Sequence, residues 1–288
     1  MNLVAGATGN VGGAVCERLL GLGKPVRALV RKTSDPDRVQ RLGKLGADVV
    51  RGELRDPASL AQACAGVSTV VSGVTTITSL GTDSITAVDR DGQIALVDAA
   101  RAAGVGHFIY VSYTRNIETD DPLTQAKRAV EDHLRSSELG YTILRPSYFM
   151  EMWLGAALGW DFAGGTARVL GSGEQRVNWI SAQDVVEAIV ACVDNPNARR
   201  LTIELGGPEA VSPLEVVQLA QVMTGREIVV EQVPAEVLAQ QRRDTSGSDA
   251  CIFPSLMFSQ TACEATEAPP EWLRPRTTVE EYLHTVLG

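Results

Sequence analysis

The chain has 288 residues, 44% of them hydrophobic and 21% charged, with a net charge of −9 and a pI near 5.0. That length allows one or two domains, and the apolar share is ample for a packed core. The acidic balance, with no long run of Lys or Arg, argues against nucleic acid or an anionic membrane as partner, since both demand basic patches.

The five cysteines, Cys16, Cys64, Cys192, Cys251 and Cys263, are scattered, odd in number and without a CxxC pair. Neither a disulfide framework nor a metal centre is expected from them, and most read as small buried hydrophobes. No apolar stretch approaches the length of a membrane span and no leader precedes the first strand, so a cytoplasmic location is expected.

In chain order, "NLVAG" (2–6) reads as a strand and 11–23 as a helix closed by glycine. A strand follows at 25–31, a helix at 35–46 and a strand at 47–54. "DPASLAQACAG" (56–66) places Asp at an N-cap and Pro at the first helical position. Then come a strand at 68–75, an amphipathic helix at 89–104, a strand at 107–113, a helix at 122–138 and the strand "YTILRP" (141–146). Regularity breaks over 147–176, which is rich in aromatic residues, methionine and glycine. A helix at 184–193 and a strand at 199–205 return to the main pattern. The tail reads as helix (213–224), strand (226–232), helix (234–243) and a last helix (277–287), with 244–270 as a loop rich in Ser, Thr, Gly and Pro.

Alternating strands and helices, with strands that are near-continuous apolar runs, predict an α/β fold: a doubly wound parallel sheet of the Rossmann type. The division expected is residues 1–145 with 177–205 as a Rossmann domain. Residues 146–176 with 206–288 form a smaller α+β substrate-binding part.

"GATGNVG" sets Gly6, Gly9 and Gly12 at the first strand–helix turn. There Gly6 permits the tight turn, Gly9 lets backbone approach a pyrophosphate, and Gly12 lets helix pack on strand. The amides at the helix start then face an anion; the bland alternative is a merely tight turn. The second strand ends "LVRKTS", with Arg31 and Lys32 where a carboxylate would bind the ribose hydroxyl of NAD. Guanidinium and ammonium suit a 2′-phosphate, which favours NADP, with NADPH preferred over NADH. Otherwise the two are solvated loop residues.

These stretches resemble the NmrA-like family of atypical short-chain dehydrogenases/reductases. The likeness rests on "VAGATGNVGGAV" (4–15), "LVRKTS" (29–34), "RGELRDPASLAQACAGVSTVV" (51–71) and "AARAAGVGHFIYVSY" (99–113). It continues through "AKRAVEDHLRSSELGYTILRPSYFMEMW" (126–153) and "VNWISAQDVVEAI" (177–189), and covers roughly residues 1–210. The resemblance implies NADPH-dependent reductases of quinones, dyes and phenylpropanoid ethers, or regulators that bind NADP and catalyse nothing. It also implies that Gly6, Thr8, Gly9, Asn10 and Val11 line the pyrophosphate and that Arg31 and Lys32 meet the 2′-phosphate. Glu53 and Leu54 would flank the adenine, and Val74 and Thr75 the nicotinamide ribose. Lys127 falls at the superfamily's catalytic lysine. The chain departs from the pattern at Leu123, where the superfamily carries a tyrosine, and at Ala95, where it often carries asparagine. Ser112 or Thr114 fills the Ser/Thr position after the fifth strand.

Lys127 has three readings: part of the chemistry, a cofactor ligand only, or a helix-surface lysine paired with Glu131 at i,i+4. Tyr113, at the carboxyl end of the sheet, is either a proton donor or a packing aromatic. Phe149, Met150, Trp153 and Trp160 are either substrate walls or the core of the smaller part. His107 reads as structural, and neither metal-ligand spacing nor a nucleophile elbow is present.

The function expected is an NADPH-dependent reductase of a small conjugated or aromatic acceptor, such as a quinone, enone, imine or dye. The alternative is a non-catalytic NADP(H)-binding regulator acting through a protein partner. Helices 89–104 and 122–138 offer surfaces through which two copies could pair as a homodimer.

Overall fold

The computed structural model describes residues 1–77 and 84–287. The chain divides into two compact units. The first comprises Met1–Ser112, Gln125–Leu144 and Val186–Ile203, and the second Tyr113–Thr124, Arg145–Val185 and Glu204–Gly288.

In chain order the first elements are β1 (Asn2–Ala5), α1 (Asn10–Gly21), β2 (Val26–Val30), α2 (Pro36–Lys44), β3 (Asp48–Arg51), α3 (Pro57–Cys64) and β4 (Thr69–Ser72). A π-helical turn (Thr86–Gly92) leads into α4 (Gln93–Ala102), followed by β5 (His107–Val111), α5 (Pro122–Ser136), β6 (Gly140–Pro146), α7 (Ala182–Cys192) and β9 (Leu201–Leu205), with the short α6 (Met150–Trp153), β7 (Trp160–Asp161) and β8 (Thr166–Leu170) lying between β6 and α7.

The main sheet has the order β3-β2-β1-β4-β5-β6-β9. Pairing is parallel from β3 through β6, with Val4 opposite Ala28 on one side and Val71 on the other. β1 and β4 are buried throughout, as a sheet covered on both faces requires. The chain winds outward from β1 to β3, then returns to place β4 on β1's other side. The carboxyl ends of β1 and β4 thus flank the switch point where such sheets bind ligands.

Local signals explain the helices. Asp35 and Asp56 cap α2 and α3, each with proline in the first turn. On β6, Thr142 Oγ1 donates to Ala198 O at 2.6 Å, so at its 2.8 Å contact with Nε2 of His107 on β5 it must accept. That fixes the proton on Nε2. Burial pushes the His107 pKa down to about 4. The unfolded chain therefore binds the extra proton first, and stability should fall as pH drops from 6.5 toward 4. A His107→Gln variant, keeping an N–H donor, should lose that slope in urea titrations.

The second unit carries a three-stranded sheet, β10-β8-β7, with β10 (Val229–Val233) parallel to β8 and β7 antiparallel to it. Its helices are α8 (Pro213–Thr224), α9 (Ala235–Asp244), α10 (Ile252–Gln260) and α11 (Val279–Leu287). Ser212 and Glu215 form a reciprocal capping box at the start of α8. Ser212→Ala should cost about 1 kcal/mol in urea unfolding, with the midpoint lowered and the slope unchanged.

Two expectations are corrected here. Residues 244–270 are not all loop, because α10 buries Ile252, Ser255 and Leu256. Pro254 stands in its first turn, where a missing N–H costs nothing. The stretch 147–176 is not irregular throughout, because it supplies β7 and β8. All five cysteines are buried and free. Burial raises Cys16, Cys192 and Cys263 to about 12 and Cys64 to about 11, and also raises Cys251. Among the described residues, no helix is long and apolar enough to cross a membrane.

Candidate functional site

A cleft of about 520 Å³ opens at the switch point of the first unit. Its floor is the turn between β1 and α1. Gly6 takes φ +76°, a conformation that side chains disfavour. Gly9 N–H closes the turn onto Gly6 O at 2.9 Å. A Cβ on Gly12 would lie 2.3 Å from Gly6 O and 2.8 Å from Gly6 C, inside any tolerable contact. Glycine is thus required where helix meets strand. Gly9 caps α1 without any side-chain bond, and no acidic residue stands in the first turn. The leading amides are left for an anion.

At one end the cleft is basic. Arg31 follows β2, and its N–H donates to Ser34 Oγ at 3.0 Å. Arg38, on α2, donates to Thr8 O at 2.7 Å and Asn10 Oδ1 at 3.3 Å. Arg31, Ser34 and Arg38 all line the cleft. Lys32 is exposed. The lining includes a second arginine, Arg38, that the sequence reading did not single out. Sequence reasoning missed it because the contact depends on how α2 returns to the glycine turn. Of the other residues singled out, Gly6, Thr8, Gly9, Asn10, Val11, Gly12, Glu53, Leu54, Val74 and Thr75 line the cleft.

Lys127 is 4% exposed, so the surface-lysine reading fails. Glu131 bonds Arg128 at 2.8 Å and Arg135 at 2.7 Å instead. Lys127 Nζ lies 3.5 Å from Val111 O and 5.3 Å from the centroid of the Tyr110 ring. Val111 itself lines the cleft. Burial lowers the lysine's pKa, and the charges of Asp89 and then Glu131 work against that.

Asp89 is the second residue that sequence reasoning missed. It sits fully buried on the π-helical turn, a distortion that often marks functional positions. Its Oδ2 accepts Thr76 N–H at 3.0 Å and Thr76 Oγ1–H at 2.6 Å, while Oδ1 has no hydrogen-bond partner among the described residues. "AVDRDG" carries the acid openly, but no spacing rule couples residue 89 to residue 127. Ala95, at the asparagine position, packs against the core. Ser112 Oγ accepts from Arg128 at 3.2 Å, and Thr114 is fully buried.

In the second unit, Tyr113 is half-buried, its phenol 2.6 Å from Thr124 Oγ1. Leu123 is 1% exposed, a core side chain in the tyrosine's place. Met150, Trp153 and Trp160 are buried by packing. Trp153 meets Tyr148 edge-on at 4.9 Å, and Trp160 tilts against Phe162 at 5.6 Å. Of the four residues read as substrate walls, only Phe149 stays half-exposed, because the cluster closes on itself.

The sequence pattern of the NmrA-like family matches residues 2–283. The chain belongs to the NmrA-like family. The resemblance read from the motifs is borne out, and it extends through the tail. This NmrA-like chain is 30% identical to the photosystem II assembly factor Ycf39 of Synechocystis sp., over 99% of this chain and 90% of that one. It is 35% identical to a (4-alkanoyl-5-oxo-2,5-dihydrofuran-3-yl)methyl phosphate reductase of Streptomyces griseus, over 81% and 77% of the two chains. The fold matches that of an Escherichia coli NADPH-dependent quinone oxidoreductase complexed with NADPH, with a TM-score of 0.81 at 20% identity over the whole of both chains.

Proposed function

We propose that this NmrA-like protein is an NADPH-dependent reductase that passes hydride to a small conjugated or aromatic acceptor. The observation that carries the reading is the cleft: a glycine turn whose Gly12 admits no Cβ, ending in two arginines and a serine hydroxyl. Bound NADPH supplies the hydride. The amides of Gly9 to Gly12 receive the pyrophosphate, and Arg31, Ser34 and Arg38 receive the 2′-phosphate. Glu53 and Leu54 flank the adenine, and Val74 and Thr75 the nicotinamide ribose.

The proton side limits the acceptor. Leu123 has no proton to give. That favours acceptors whose product charge is delocalised, such as quinones, enones, imines or cationic dyes. Lys127 places a buried amine beside the cleft; in its protonated form it favours the developing anion and can hand over its proton. One reductase relative is named for an oxo-dihydrofuran substrate, a conjugated carbonyl compound, which agrees with this class.

The test is NADPH oxidation by the purified protein across quinones, enones, imines and dyes, with NADH in parallel. Turnover with NADPH in preference to NADH is expected. Tight NADPH binding without turnover on any acceptor would instead support the second reading, a cofactor-binding regulator, which the apolar Leu123 and the assembly-factor relative favour. Arg31→Ala and Arg38→Ala should each weaken NADPH binding about tenfold in fluorescence titrations and leave NADH unchanged, whereas Lys32→Ala should change neither.

A further inference from the structure

The pairing of β4 with β1 and β5 ends at Ser72, which stands opposite Ala5 and Tyr110. Beyond it the chain continues outside the sheet as Gly73, Val74, Thr75 and Thr76, all of which line the cleft. This wall lies against the glycine turn, since a Cβ added to Gly6 would meet Val74 Cγ2 at 3.2 Å. The sheet no longer fixes the backbone here, so its shape depends on other bonds.

Two side chains supply them. Gln93, the first residue of α4, is fully buried. Its Oε1 accepts the Ser72 hydroxyl at 2.8 Å, and its Nε2 donates to Val74 O at 3.0 Å. The amide must sit this way round, because a flipped one would turn an oxygen toward the Val74 carbonyl. One turn earlier, the fully buried Asp89 takes both the N–H of Thr76 at 3.0 Å and its hydroxyl at 2.6 Å on Oδ2. The segment is thus tied at its start, its middle and its end from one side of a single helix. Burial follows the ties. Ser72 and Thr76 are buried, whereas Gly73 and Thr75 stay exposed at the cleft.

We propose that Gln93 and Asp89 are positioning residues for the nicotinamide half of the cofactor. They hold the chain from Ser72 to Thr76 in the shape that lets Val74 and Thr75 receive the nicotinamide ribose. A segment already ordered in its bound shape spares binding the cost of ordering it. Once released, it holds that shape for a fraction of the time, and apparent affinity falls by that fraction. The inference deepens the NADPH reading of the cleft and rests on it.

Two probes separate the halves of the cleft. NADPH spans it, whereas 2′,5′-ADP reaches the glycine turn and the arginine end and has no nicotinamide. In calorimetric titrations the wild type should bind NADPH tighter than 2′,5′-ADP. Gln93→Met and Asp89→Ala should each weaken NADPH about tenfold and leave 2′,5′-ADP within about twofold. Asp89→Asn keeps a carbonyl acceptor for Thr76 and should recover most of what Asp89→Ala loses. A purely structural role would weaken both probes together or neither. Thr76→Val deletes one hydroxyl at nearly constant size, and it carries the test if the larger changes prevent folding. It should weaken NADPH about fivefold and again spare 2′,5′-ADP. Both probes weakened alike, both unmoved, or a wild type that binds NADPH no tighter than 2′,5′-ADP overturns the proposal and leaves the phosphate end of the cleft as read. A wild type that binds neither probe ends the cofactor reading, and the proposal with it.

Discussion

Gly12→Ala should abolish measurable NADPH binding and destabilise the fold. The added methyl would sit 2.3 Å from Gly6 O, against backbone that has no rotamer to escape into. Either α1 moves away from β1 or the Gly6 turn opens. Both displace the amides offered to the pyrophosphate. Overpacking of this kind costs about 1–3 kcal/mol of stability. The binding loss should be larger, at least about 100-fold in Kd, because several backbone donors lose their aim together. Gly13→Ala is the matched control. Its Cβ would lie 3.3 Å from Ala7 O, which a small local shift can relieve. Fluorescence titration with NADPH and urea unfolding of both variants give the answer. A Gly12→Ala protein that binds NADPH within about threefold of wild type would sink the cradle reading.

Lys127→Met should lower kcat at least about 100-fold on any acceptor the wild type reduces, while the protein still folds and binds NADPH. The methyl thioether fills the stem's volume and removes the amine, with its contacts to Val111 O and the Tyr110 ring. The variant should also change how stability follows pH. Burial holds the folded lysine's pKa below its usual 10.5. Between the folded value and 10.5 the unfolded chain binds more protons, so wild-type stability should rise with pH across that window. The Met variant should lose that rise. If kcat survives the substitution, Lys127 is a cofactor-positioning residue and the acceptor is protonated from solvent alone.

The legible parts of this protein are local ones. A glycine spacing, a β-branched run or an Asp-Pro helix start depends on neighbours in sequence, so β1 through β6, α1 through α5 and the floor of the cleft could be read directly. Arg38 could not, because its value lies in a hydrogen bond to Thr8, thirty residues away. Asp89 could not, because a π-helical turn has no sequence rule and its influence on Lys127 crosses two elements. The β8–β10 pairing joins Thr166 to Val229 across α7, β9 and α8, which periodicity never reports. In 244–270, averaging over Ser, Thr, Gly and Pro hid the apolar stretch Ile252–Gln260 that folds as α10. The aromatic run at 148–162 reads equally as a ligand wall or as core, because burial in a core and lining of a pocket demand the same residue types.

The burial of the five thiols acquires a chemical meaning beside the proposed acceptors. Quinones and enones are electrophiles that add covalently to sulfur, and the attacking species is the thiolate. Every cysteine here is enclosed, and burial holds four of the five at about 11 to 12, far above any physiological pH. A catalyst built this way can handle such compounds turnover after turnover without becoming their target.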